Sequence, residues 1–314
     1  MGATTQDLFG DAAGAQPATP GTYGAAPSGY RLPDATRLGV VKLQVTDLAR
    51  STDYYEEVLG LRTVSRDASR TVLASHGSDA PLIELHERRG APVVAGKSRL
   101  GLYHFAILVP DRATLGRFIE HLGAIGARAG SSDHLVSEAL YLRDPDHLGI
   151  EVYADRPRES WHRVGRELMM ATDPLDLASI VRSAEGAPWR GMPAGTVMGH
   201  MHLHVGNLER ASAFYSDGLG FDRMIWKYPG ALFLGAGGYH HHLGTNTWAG
   251  ESAPPAAEEE PRLLEWTIEL PAAADMTAAG ESLSARGFAL SRDGDDVLAA
   301  DPWGTTVRLR ATPS

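Results

Sequence analysis

Six of the thirteen histidines fall between residues 200 and 242, in two short runs. One is Gly199-His200-Met201-His202-Leu203-His204-Val205 and the other is Gly238-Tyr239-His240-His241-His242-Leu243. Imidazole is the commonest protein ligand for catalytic divalent transition metals. Read as strands, the runs place alternate side chains on one face. His200 then shares a face with His202, and His240 shares one with His242, while His241 faces the opposite way. Two such strands in one sheet would aim several imidazoles at one point. The chain has no cysteine, which excludes thiolate metal sites, disulfides and cysteine nucleophiles. A metal must therefore be held by His, Asp or Glu, a donor set suited to iron, manganese or zinc.

Other chemistries find little support. Gly235-Ala236-Gly237-Gly238 lies between strand-like segments and opens no helix, so it fails the context required of a phosphate-binding loop. No nucleophilic serine motif is present. The formal net charge of −10 argues against nucleic acid or an anionic membrane as a partner. No apolar run approaches the length needed to cross a bilayer, and the first residues lack the basic start and apolar block of a signal peptide. The expected compartment is the cytoplasm.

The elements that must position the histidines emerge from internal repetition. Residues 1–36, rich in Gly, Ala, Pro and Thr and without periodicity, read as a disordered tail. Residues 45–61 then align without gaps on 205–221 at an offset of 160 residues: Val45-Thr46-Asp47-Leu48 matches Val205-Gly206-Asn207-Leu208, and Leu59-Gly60-Leu61 matches Leu219-Gly220-Phe221. Such fixed-offset similarity marks duplication. Each copy reads as a strand, an Asp- or Asn-capped turn, an amphipathic helix and a glycine stop. A weaker pair, His104–Pro110 and Glu265–Pro271, is followed by helical stretches at 112–125 and 272–286. Turns at Asp144-Pro145 and Asp301-Pro302 then lead to a last strand. The aspartates read as turn chemistry, and Tyr54, Tyr55, Phe214 and Tyr215 as core. Four β-α-β-β-β modules result, at 37–95, 99–155, 196–250 and 262–312. Paired in chain order they form two domains, 37–155 and 196–312, joined by a connector, 156–195, with helical stretches around 160–170 and 175–185.

Four such modules resemble the vicinal oxygen chelate superfamily, which includes glyoxalase I, bleomycin-resistance proteins and type I extradiol dioxygenases. Narrower similarity to its two-domain, catechol 2,3-dioxygenase-like branch lies in Gly101–Leu108, Asp133–Tyr141, Asp155-Arg156-Pro157 and Gly237–Trp248. The resemblance implies an α+β fold of two vicinal oxygen chelate domains, each an open cupped mixed β-sheet with flanking helices. It also implies metal ligands from the first and last strands of the modules. Mapped onto the second domain, the ligand positions are His200, His242, Glu265 and Arg308. Two imidazoles and one carboxylate, His200, His242 and Glu265, would form a triad for Fe(II), with Mn(II) as the alternative. The first domain offers Val40, Glu84, His104 and Glu151 and is read as a degenerate cup, with Lys42 and Gln44 standing where the other copy has His202 and His204. Type I extradiol enzymes take one histidine from the first strand of each unit and a glutamate from the last strand of the final unit; here the final unit offers Glu265 and Arg308, a permuted set.

The function implied is an extradiol-type ring-cleaving dioxygenase acting on a catechol or hydroquinone-like aromatic, with that small aromatic and O₂ as its partners. His202, His240, Tyr239 and Arg308 are the catalytic candidates around the metal: the histidines for proton transfer, Arg308 to steady an anion or to pair with Glu265. His204 is a further candidate around the ligands. Trp226, Phe233 and Trp248 are candidate lining. Two alternatives stand beside this reading: a glyoxalase-like metal-dependent lyase or isomerase without O₂, and a non-enzymatic aromatic- or drug-binding protein. Exposed sheet edges in such folds invite pairing into homo-oligomers.

Overall fold

In the computed structural model, which describes residues 2–10, 14–93, 99–250 and 252–312, each module has the expected β-α-β-β-β order. The helix crosses over, so the first and last strands of a module lie side by side and parallel. The pairs are Arg37–Val45 with Ile83–Glu87, Gly101–Leu108 with Gly149–Asp155, Val197–His204 with Leu243–Asn246, and Arg262–Leu270 with Thr306–Ala311. The repeat helix Leu48–Glu57 buries Leu48, Ser51, Thr52 and Tyr55 on one stripe. Asp47 caps it and Asn207 caps its copy, each accepting a backbone N–H three residues on. Gly60 and Gly220 end the two copies with φ of 72° and 98°, a conformation that favours glycine. The copies differ in one respect: the second widens into a π-helical turn at Ala213–Gly218. Tyr55 and Tyr215 are core residues, and each donates its hydroxyl to the turn aspartate of another module, Asp144 and Asp301 respectively.

The modules assemble into two eight-stranded mixed sheets, but not in chain order. One sheet joins the second and third modules through the antiparallel pair Gly101–Leu108 and Val197–His204. The other joins the first and fourth through Arg37–Val45 and Arg262–Leu270. Consecutive pairing of modules is thus corrected. Chain order favours adjacency without dictating it, and each module presents the free edge of its first strand to any complementary partner. The 40-residue connector joins the second module to the third within that one sheet. Its helix Leu177–Ser183 packs on Arg112–Ala124. The helix expected around 160–170 is instead a hairpin, His162–Val164 with Glu167–Leu168, to which Gln16–Pro17 adds a third strand.

The first 36 residues are not a disordered tail where they are described. Thr5–Phe9 is a short helix with a capping box on Thr4 and Asp7. Tyr23 is buried and donates its hydroxyl to the Gly238 carbonyl at 2.8 Å, and Arg31 forms a fork on Asp222. Aromatic anchors too sparse to show periodicity fix this Gly/Pro-rich segment to the loop that carries the second histidine run. Among the described residues no helix is long and apolar enough to cross a membrane.

Candidate metal centre

The seam between the second and third modules builds the site. One rung across four strands runs Tyr141, Glu151, Ala106, His200. Ala106 carries only a methyl group, so space remains between the carboxylate and the imidazole on either side of it. His104 stands two residues along the same strand as Ala106 and pairs with His202. Two irregularities re-aim these strands. Between the pairs His202–His104 and Leu203–Leu102 one extra residue, Tyr103, is accommodated; between Met198–Ile107 and His200–Ala106 the extra residue is Gly199. Gly199 must lack a side chain there, because a Cβ would lie 1.9 Å from the Tyr153 hydroxyl oxygen.

His104, Glu151 and His200 are 5%, 2% and 2% exposed. Their ligating atoms all lie within 4.8 Å of one another. Glu151 Oε2 is 3.0 Å from His104 Nε2 and 3.2 Å from His200 Nε2. His104 Nε2 is buried yet makes no hydrogen bond of acceptable geometry. Among the described residues no lysine or arginine pairs with Glu151. Burial pushes both imidazoles below the usual histidine range, so they stand neutral near pH 7. Burial would also raise Glu151, but the adjoining His200 and His104 outweigh it and hold the carboxyl well below the usual range. The result is a buried anion with two neutral donors and no cation, an arrangement whose desolvation is offset by a divalent ion. Two nitrogens and one oxygen on one side of a centre are a donor set that fits Fe(II) or Mn(II).

Hydrogen bonds fix the surroundings. Asn246 donates its amide to His202 Nε2 at 2.9 Å and accepts the His204 Nδ1 proton at 2.7 Å, so His202 carries its proton on Nδ1. Burial first, and the neighbouring histidines after it, hold His202 and His241 far below the usual range. His134 donates its Nδ1 proton to the Ala171 carbonyl at 2.6 Å and accepts from the Tyr141 hydroxyl. The His241 ring lies 4.2 Å from that of His200. His240 Nε2 donates to Asp155 at 2.9 Å, so its Nδ1 accepts the Nδ1 proton of His241 at 2.7 Å. The His241 Nε2 lone pair is thereby left as a base. Tyr103, Phe233 and Trp248 surround His202 with ring centroids at 5.1–5.5 Å.

Of the residues the sequence singles out, the structure brings His200, His202, His240 and Tyr239 together. Tyr239 stacks on His240 at 4.1 Å, and its hydroxyl meets Asp155 and Tyr153. It does not bring His242, Glu265 or Arg308 to His200. The ordered strand begins at Leu243, so residues 239–242 form a loop and strand alternation does not govern them. His242 packs on Phe221 and Tyr239 and accepts the Ala236 N–H, with burial lowering it to about 3. Glu265 belongs to the other sheet, where it is bound by Arg308 at 2.6 and 2.9 Å and by Lys42 at 2.7 Å. Arg308 also binds Asp296 and Asp293. Protein cations occupy that cup, and Glu84 there is paired with His86 at 2.7 Å. Phe233 and Trp248 line the centre; Trp226 is held elsewhere, its backbone N–H on Glu167. His104, Glu151, His241 and Asn246 are the site residues that sequence reasoning misplaced or missed.

A model of the Glyoxalase/Bleomycin resistance protein/Dioxygenase superfamily matches residues 37–152 and 197–308. The chain is 41% identical, over 275 residues, to a catechol-2,3-dioxygenase of Bacillus subtilis (strain 168), covering 85% of this chain and 94% of that one. Among solved structures, a putative dioxygenase from Bacillus subtilis superposes with a TM-score of 0.62 at 12% identity, over 91% of this chain and 87% of that one. Glyoxalase I from Zea mays gives 0.53 at 18% identity, over 88% and 92%. At these identities the two structures speak for the fold alone.

Proposed function

The chain belongs to the Glyoxalase/Bleomycin resistance protein/Dioxygenase superfamily, and on that premise we propose that it is an extradiol-type dioxygenase that opens the ring of a catechol-like aromatic at a divalent iron held by His104, His200 and Glu151. The observation that carries this reading is the buried Glu151, paired with no lysine or arginine among the described residues and flanked by two neutral imidazoles, each with an unpartnered ring nitrogen. The 41% identity to a catechol-2,3-dioxygenase supports the same substrate class. Mn(II) suits the same donors and is the alternative metal. When bound, the ion supplies Lewis acidity and open coordination positions for a dihydroxyaromatic and O₂.

The chain's own residues do the rest. Phe233 lies against both His202 and His241, at 5.5 and 5.0 Å, and with Tyr103 and Trp248 walls the site with rings that seat an aromatic and exclude water. His241 takes a phenolic proton at Nε2. The imidazolium so formed is stabilised through His240 to Asp155, which is 28% exposed at its side chain and links the site to solvent. His202, neutral and fixed by Asn246, presents an N–H to the bound aromatic.

Anaerobic loading with ferrous iron followed by catechol should produce stoichiometric O₂ uptake and a ring-opened product. Metal binding without catechol-dependent O₂ uptake would overturn the reading in favour of a lyase or isomerase.

A further inference from the structure

Where the two sheets meet, beside the metal centre, a cleft is lined by residues that include Tyr103, Arg143, His147, His204 and Arg262. Tyr103 belongs to both places: its ring is 4.9 Å from that of His104 and 4.7 Å from that of His204. The carboxylates in the cleft wall are already engaged. Asp146 accepts from Thr46 and Arg50, and Glu260 accepts a two-pronged contact from Arg99 together with the Ala257 N–H. Arg143 and Arg262 have no carboxylate partner among the described residues. Arg262 Nε is buried and makes no hydrogen bond. Arg143 is held by a single contact, Nη1 to the His147 carbonyl at 2.8 Å.

Register places Arg143 close to the chemistry. It pairs with Gly149, and Gly149 lies against His104, so the two side chains are separated by about two strand spacings, or ~10 Å. Arg143 also shares a face with Tyr141, two residues away in its strand. The turn that holds it carries a further signal. His147 adopts a φ of 64°, whereas the same turn of the fourth module has Gly304 there with a φ of 90°. A side chain is kept in the cleft where the copy uses the unstrained residue, at a cost of order 1 kcal/mol.

We propose that this cleft is an anion subsite, in which Arg143 and Arg262 bind a carboxylate substituent of the substrate while the ring passes Tyr103 and its hydroxyls face His104, Glu151 and His200. The substrate class is then a catechol bearing a carboxylate across the ring from its hydroxyls, and this rests on the dioxygenase reading given above. Planar guanidinium forks suit a carboxylate better than any other common anion-binding side chain.

The test compares 3,4-dihydroxyphenylacetate with its uncharged methyl ester. Calorimetry on the metal-loaded, anaerobic protein should give the acid a Kd about 10- to 100-fold below that of the ester, the range of a charge-assisted hydrogen bond. In Arg143→Gln and Arg262→Gln proteins that ratio should fall toward one, with Arg143→Lys restoring part of it. Equal binding of acid and ester by the wild type, or a ratio indifferent to both substitutions, would overturn the subsite. Oxygen uptake is read separately. An arginine-dependent preference without O₂ uptake keeps the anion subsite and rejects the dioxygenase; O₂ uptake with a ratio of one does the reverse.

Discussion

A carboxylate buried as deeply as Glu151, with imidazoles beside it and no guanidinium or ammonium among the described residues, is stable only if a cation completes it or a proton neutralises it. The base proposed nearby is separable from the ligands. His241→Asn should leave iron content unchanged and lower kcat by ~10²- to 10⁴-fold, the usual contribution of a general base; an unchanged kcat measured by oxygen electrode would remove His241 from the mechanism. The buried histidines also set a pH dependence. In the fold His202, His241 and His242 all titrate below the ordinary value, His242 at about 3. The unfolded chain takes up these protons from ~6.5 downward while the native state does not, so stability is fully present above that pH. It is lost as the pH falls, by on the order of 1.4 kcal/mol per pH unit for each such imidazole. Thermal melts of metal-free protein should therefore hold level above about pH 6.5 and decline steadily from there to about pH 5; a flat Tm over that lower range would mean these groups are protonated in the fold.

Elements place these side chains through departures from regularity. The bulge at Tyr103 lets that ring and His104 both meet His202, and Gly149 on the neighbouring strand is what admits it. A Cβ at Gly149 would stand 2.0 Å from the Tyr103 carbonyl oxygen. Gly149→Ala should thus push the His104 and Glu151 strands apart, destabilising by about 1–3 kcal/mol as overpacked sites do and weakening iron binding. A chemical denaturation midpoint equal to wild type would contradict this. Much of the element level was legible in the sequence. The capped helices, the glycine stops and the strand order of each module follow from period and punctuation. What was not legible was the bulges, which leave no mark on hydrophobic alternation, and the loop character of Tyr239–His242, where histidines sit at strand-like spacing before the strand begins at Leu243.

At the level of the whole molecule, duplication made the ligand positions readable but not their partners. Aligning His104 with Glu265, and Glu151 with Arg308, picks out the rows of the modules on which the candidate ligands His104 and Glu151 stand. Which modules share a sheet is decided by complementarity along the seams, and exchange of modules moved the complete set onto the sheet that joins the second and third. The other cup carries Val40 where this one has His200, and closes on Arg308, Lys42 and Glu265 instead of a metal. Arg308 is 4% exposed and binds three carboxylates. Arg308→Leu should cost about 3–5 kcal/mol, as loss of one partner in a buried network does, yet leave metal content intact; metal loss in a folded Arg308→Leu protein would show that the cups are not independent. The most direct test of the centre is elemental analysis of iron-reconstituted wild-type, His104→Ala and Glu265→Gln proteins, each shown to be folded by circular dichroism. About one iron per chain is expected in the wild type and in Glu265→Gln, and next to none in His104→Ala. Iron retained by His104→Ala and lost by Glu265→Gln would contradict the assignment and return the metal to the other sheet.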